Sequence, residues 1–158
     1  MSLGTPATVA LTAAGIHFTA HTYEHDPANR NFGAEAAAVL GVNPEQVFKT
    51  LIADVDGSLV VAIVPVTGKL DLRALAAAVG GKHAAMADPS RAQRKTGYIV
   101  GGISPVGQKT PLTTVLDETA ELFDTVFVSA GKRGCDLELA PTDLVAVTSA
   151  MIAAIARH

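Results

Sequence analysis

Leu59-Val60-Val61-Ala62-Ile63-Val64 is the stretch that most limits what this chain can become. Apolar residues run through it without alternation, so this is a strand covered on both faces. Asp56-Gly57 separates it from a second apolar run, Leu51 to Val55. Asp-Gly between two such runs is the strongest short-range hairpin signal in the chain. With 49% apolar but only 4% aromatic residues, and no tryptophan, the core must be built from Ala, Val, Leu and Ile.

The other elements follow from local signals. Thr5-Pro6 opens a helix that Gly15 stops, with Val9, Ala10 and Ala13 as its apolar side. His17 to His25 alternates as a strand does, and Asp26-Pro27 breaks it. Arg30-Asn31-Phe32-Gly33 is a loop before a short helix, Ala34 to Leu40, and Asn43-Pro44 starts a turn. Asp71 caps a helix with Leu72, Leu75, Ala76 and Val79 on one face, ended by Gly80-Gly81; Asp88-Pro89 starts another, to about Lys95. Gly97 to Gly107 is rich in glycine. Thr113 to Leu116 and Thr125 to Ser129 are strands; Ala130 to Gly134 is a turn, and Cys135 to Leu139 the returning strand. Pro141 begins a last helix with Leu144, Val147, Met151 and Ile155 on one face. Helices interleave with antiparallel hairpins, which predicts an α+β fold on a mixed sheet, in one domain over residues 1–158.

Composition excludes some functions. The first residues show no signal peptide, and no apolar run approaches the ~18 residues that span a bilayer. The lone Cys135 cannot form an internal disulfide, which fits a reducing cytoplasm. The net charge is −3, yet from Lys69 to Lys109 seven cations face two acids, a local excess of +5. Such a stretch is either a phosphate-facing side or a solvated basic surface.

Local chemistry is sparse. No Gly-x-Ser-x-Gly elbow is present, and Cys135 beside Leu137 and Leu139 reads as a buried thiol. His17, His21 and His25 lie on one face of a strand but spread too far, at 3.3–3.4 Å per residue, to share one ion. Gly97–Gly107 contains no Walker A or Gly-x-Gly-x-x-Gly pattern; it offers backbone N–H groups that could cradle an anion, or it is a plain connection. Lys49, between a helical turn and the first apolar strand, is either an edge lysine reaching for water or a cation held in a cleft.

Several segments taken together point further. Tyr23 in His21-Thr22-Tyr23-Glu24-His25-Asp26, Phe32-Gly33, Phe48-Lys49-Thr50, Gly97-Tyr98-Ile99-Val100-Gly101-Gly102-Ile103-Ser104-Pro105 and Ser129 through Asp136 resemble the YbaK family of Cys-tRNA(Pro) deacylases. That family is related to the editing domain inserted in bacterial prolyl-tRNA synthetases. The likeness runs from about His21 to Leu139. It implies an α+β fold with a mostly antiparallel, barrel-like sheet flanked by helices, and a hydrolase that removes cysteine from mischarged tRNA(Pro), with Cys-tRNA(Cys) as a related substrate. It implies no cofactor and no metal. In this family the substrate's own thiol is the nucleophile, which would explain why the chain shows none.

Carried over by position, Lys49 would bind the terminal adenosine or its phosphate and favour the charged transition state. Thr50 would assist. Gly101 would bring its backbone to the substrate, and Gly102 and Gly131 would shape the surrounding loops. Ser129 and Asp136 would flank the aminoacyl group, with Asp136 orienting its amine. Tyr23 and Phe32 would line the pocket. Ala130 stands where relatives carry glycine, and Cys135 where they carry an aliphatic residue. The implied partners are the 3′ end of tRNA(Pro) and prolyl-tRNA synthetase. Other readings are a deacylase for Ala-tRNA(Pro) or Ser-tRNA, or a non-catalytic tRNA- or nucleotide-binding module docking on the synthetase.

Overall fold

A computed structural model describes residues 4–28 and 32–158, without the side chains of Phe32 and Gly33. Helix α1 spans Pro6–Ala13. Thr5 Oγ1 accepts the Thr8 amide and Thr8 Oγ1 accepts the Thr5 amide, a reciprocal cap. Its buried side is not the predicted one: Ala7, Thr8 and Leu11 face inward while Val9 is 62% exposed. The periodicity of so short and apolar a helix leaves several faces eligible. The neighbours choose, and here the Gly107 backbone lies against Pro6.

Strand β1 is only Thr19–Thr22, shorter than the His17–His25 alternation predicts. Helix α2, Phe32–Leu40, starts two residues inside the predicted loop. A 3-10 turn at Pro44–Gln46, capped by Asn43, leads into β2, Phe48–Val55, and β3, Ser58–Pro65. Asp56 (φ 51°) and Gly57 (φ 92°) both take positive φ, the two-residue turn whose twist matches its strands. The two strands pair antiparallel over their whole length, with Lys49 opposite Val64 and Thr50 opposite Ile63.

Strand β3 is covered on both sides, as its sequence predicts. Leu59, Val61 and Ile63 belong to one apolar core, Val60, Ala62 and Val64 to another. The first core also holds α1 and strands β7 (Val126–Lys132) and β8 (Cys135–Leu139). The second is closed by α3, Leu72–Ala78, and by Ile155.

The remaining elements are β4 (Lys69–Leu70), β5 (Ala84–Met86), α4 (Pro89–Thr96, capped by Asp88), β6 (Thr113–Asp117) and α5 (Pro141–Thr148). Two short strands follow, β9 (Met151–Ala153) and β10 (Ala156–Arg157). The sheets are a mixed five-stranded one ordered β5-β2-β3-β6-β9, an antiparallel β1-β8-β7 and a β10-β4 ribbon. The fold is α+β and mostly antiparallel, with parallel pairing at β3–β6 and β6–β9. It is not barrel-like: the largest sheet stays open, with β5 and β9 as its edges.

Two further expectations fail for identifiable reasons. The turn predicted at Ala130–Gly134 is mostly strand, because β7 continues through a bulge between Ser129 and Lys132. The last helix stops before Met151. Ser149 takes a left-handed conformation (φ 56°), and the chain then runs beside β6. Buried Asp117 holds it there, Oδ1 accepting the Ile155 and Ala156 amides, each at 2.9 Å. Met151 and Ile155 have helical spacing but are placed by this long-range partner.

Candidate active site

One cavity of about 690 Å³ collects most of the predicted residues. Lys49, Thr50, Gly101, Ser129, Asp136 and Tyr23 all line it. Gly102, against the Lys132–Arg133 backbone, and Gly131, against Tyr98, are not in its lining. A Cβ on Gly131 (φ 106°) would come within 2.5 Å of the Tyr98 ring, so only glycine lets the loop and β7 close on each other there. Phe32's side chain lies outside the described residues.

Lys49 and Thr50 sit on the first half of β2, where no neighbouring strand pairs with the β5 side: β5 reaches only Ala53 to Val55. Burial lowers the pKa of Lys49, helped by the charge of nearby Lys69. Among the described residues Lys49 has no carboxylate within salt-bridge distance. Thr50 Oγ1 is fully buried with no hydrogen-bond partner among the described residues, an arrangement that costs about 1–3 kcal/mol unless a ligand completes it.

The opposite wall comes from β7 and β8. Their register sets Asp136 directly across from Ser129 on one side and His21 on the other. Asp136 is 8% exposed, and burial pushes its carboxyl up to about 7, opposed in part by His21. Ser129 Oγ accepts the Gly131 amide at 3.1 Å, which holds the bulge and leaves its O–H to donate. No histidine hydrogen-bonds Ser129 among the described residues, so it is not an activated nucleophile. Ala130 is buried core without positive φ, so alanine suits the position; Cys135 is also fully buried, with burial raising its thiol pKa.

Tyr23 reaches the cavity from the segment after β1. Its amide donates to the Gly134 carbonyl. Burial, then the charge of Asp136, push its phenol up to about 12, so it is neutral. Glu35 on α2 steadies this segment by pairing with His25 and accepting the Asp26 amide. His21 instead pairs with Glu138.

The glycine-rich stretch forms the lip. Gly101 (φ 94°) is the third residue of a turn closed by the Gly102 amide on the Ile99 carbonyl. Gln93 Oε1 accepts the Val100 amide, Arg133 donates to the Val100 carbonyl, and Tyr98 O–H donates to the Val106 carbonyl at 2.6 Å. The loop is thus held rather than loose. The Gly101 N–H makes no hydrogen bond among the described residues and is free for a ligand.

Met86, Pro89, Val100, Lys132 and Arg133 are also in the wall, although none of them is assigned to the site from the sequence. Lys132 and Arg133 carried a signal, two cations in a glycine-flanked turn beside Ser129. Met86 and Pro89 carried none. The basic stretch is also divided: Arg91 pairs with Asp54 at 2.7 Å, while Lys69 stands close enough for its charge to act on Lys49.

The family model described as "Aminoacyl-tRNA editing domain" matches residues 27–147. A protein of Enterococcus faecalis, named as a candidate Cys-tRNA(Pro)/Cys-tRNA(Cys) deacylase, is 38% identical over 135 residues, covering 84% of this chain and 82% of that one. A proline–tRNA ligase of Moorella thermoacetica is 38% identical over 85 residues, 53% of this chain and 15% of that enzyme. Among solved structures, a candidate trans-editing enzyme for prolyl-tRNA synthetase superposes with a TM-score of 0.83 at 28% identity, covering 99% of this chain and all of that one (100%).

Proposed function

Because the chain belongs to the aminoacyl-tRNA editing domain family, we propose that it acts as a single trans-editing domain that hydrolyses the ester of Cys-tRNA(Pro). The observation that carries this is one cavity holding a cation, Lys49, and a carboxyl, Asp136, neither in a salt bridge among the described residues. An aminoacyl ester brings the complement of both. Its α-ammonium matches Asp136, and the phosphate on the 5′ side of its terminal nucleotide, or the developing oxyanion, matches Lys49.

The need for such a site is physical. Cysteine and proline are similar in size, and a small apolar pocket separates such pairs by only about 1–3 kcal/mol. A second site restores fidelity by removing the wrong ester.

Among the described residues the wall holds no paired nucleophile and base, and the cysteinyl ester carries its own thiol. Attack of that sulfur on the ester carbonyl forms a C–S bond and breaks the C–O bond to the ribose. The thiol proton ends on the released 3′-hydroxyl, and water opens the resulting thiolactone to free cysteine. In this reading Asp136 holds the ammonium, the Gly101 N–H and Lys49 face the oxyanion, and Thr50 Oγ1 donates to the ribose or the ester. Tyr23 packs against the bound group. Gly102 and Gly131 act indirectly, by setting the shape of the lip and the bulge. A prolyl ester has no side-chain nucleophile and survives.

The test is to incubate the protein with Cys-, Ala-, Ser- and Pro-charged tRNA(Pro) and follow ester loss. Selective loss of cysteine supports the proposal. Loss of alanine or serine at an equal rate would remove the substrate thiol from the mechanism, and no loss at all would leave only binding. Adding prolyl-tRNA synthetase tests whether tRNA identity is read through that partner.

A further inference from the structure

We propose that the β4–β10 ribbon is a phosphate-binding site, in which Lys69 and Arg157 receive the single-stranded 3′ backbone of the RNA whose terminal ester lies beside Lys49. The inference rests on the reading of the substrate as an aminoacyl-tRNA.

Three observations carry it. First, Lys69 and Arg157 are direct partners across the antiparallel ribbon. Like charges so placed repel each other, both side chains are exposed, and neither is in a salt bridge among the described residues. The nearest acid in sequence, Asp71, is occupied as the α3 cap, accepting the Ala74 amide. An uncompensated cationic pair fits a polyanion arriving from outside. Second, the ribbon adjoins the cavity. Val66 lines the cavity, its amide donates to the Val47 carbonyl, and Lys69 follows three residues on. Lys69 is also close enough for its charge to act on Lys49. Third, the ribbon is rigidly placed. The Asp71 amide donates to the Ile155 carbonyl at 2.7 Å, Asp117 holds the Ile155 and Ala156 amides, and Gly68 packs against the Arg157 carbonyl. Lys49 thus lies inside the cavity, with Lys69 and Arg157 on the ribbon that adjoins it.

The alternative exit lies by Lys132 and Arg133. Arg133 is committed there to the Val100 carbonyl, and Lys132, the last residue of β7, faces Cys135 of β8 rather than a second cation.

The experiment measures binding of an uncharged RNA hairpin with a single-stranded 3′ end, over a range of salt, to the wild type, Lys69→Gln, Arg157→Gln and the double variant. Each single substitution should lower the slope of log K against log salt by roughly 0.7–1, and the double variant by roughly 1–2. Affinity of the double variant at low salt should fall about tenfold or more. Its thermal midpoint should stay or rise, because a repulsive pair has been removed. Unchanged affinity and slope in the folded single variants overturn the proposal, as does a wild type that does not bind this RNA. Deacylation of Cys-tRNA(Pro), run in parallel, separates the two readings. A wild type that binds through the ribbon but hydrolyses nothing refutes the enzyme and leaves the ribbon. Full hydrolysis with an unchanged KM in the double variant does the reverse.

Discussion

Strands β2 and β3 pair residue for residue, yet one is structural and the other opens onto the candidate site. Ile63 of β3 is completely buried between neighbours. Thr50, directly opposite, is only half-buried and keeps a hydroxyl with no partner among the described residues. Along β3 every position from Leu59 to Pro65 is buried, whereas Lys49, Thr50 and Leu51 are all partly open. The hydrogen-bonded ladder is shared, so pairing does not separate them. Coverage does. Both faces of β3 meet packed layers, while the first half of β2 borders the cavity. A strand can therefore hold fixed groups toward a ligand only where its neighbour carries the packing.

The sharpest break in this comparison is Ile63→Ala, expected to cost about 2–5 kcal/mol of stability as a buried aliphatic is lost. Denaturant unfolding reads it, and deacylation per folded molecule should hold. Asp136→Asn comes next and depends on pH. The folded carboxyl titrates near 7, against 3.8 for an ordinary aspartate. Its contribution to stability is fully present below about pH 4 and is lost as pH rises through about 7. The asparagine variant should thus match the wild type near pH 4 and exceed it by roughly 4 kcal/mol near pH 8; equal melting curves at both would refute the buried carboxylate. Activity should fall most above about pH 7, where the wild-type carboxyl is charged, and least near pH 4.

Lys49→Met should lower kcat/KM by about 100-fold, or roughly 2.7 kcal/mol of transition-state stabilisation. Stability should stay level or rise, because the half-buried charge is gone. An unchanged rate would remove Lys49 from the chemistry. The smallest effect is Thr50→Val, an isosteric change that deletes the orphan hydroxyl. It should stabilise the protein by about 1 kcal/mol while slowing deacylation. Loss of stability instead would mean that the hydroxyl has a partner in solution.

The same contrast separates what was legible in the sequence from what was not. The β3 run, the Asp56-Gly57 turn and the caps at Thr5, Asp71 and Asp88 are local, and each formed as its residues predict. The inward face of α1 and the strands at Met151 and Ala156 depend on residues far along the chain, and periodicity misassigned them. The site divides likewise. Lys49, Gly101, Ser129 and Asp136 stood out through a resemblance, while Met86 and Pro89 join the wall only through tertiary contact. The open sheet, in place of the barrel-like one implied by the family likeness, also follows from long-range pairing at β6 and β9.

Asp136 has one more consequence. A carboxyl titrating near neutrality makes occupancy and proton count a single variable. Under the proposed function, entry of an ammonium-bearing ester would favour the carboxylate and send a proton to the solvent, and departure of the product would bring one back. The measured heat of binding would then change with the ionisation enthalpy of the buffer, and each turnover would carry a small proton current in and out of the pocket.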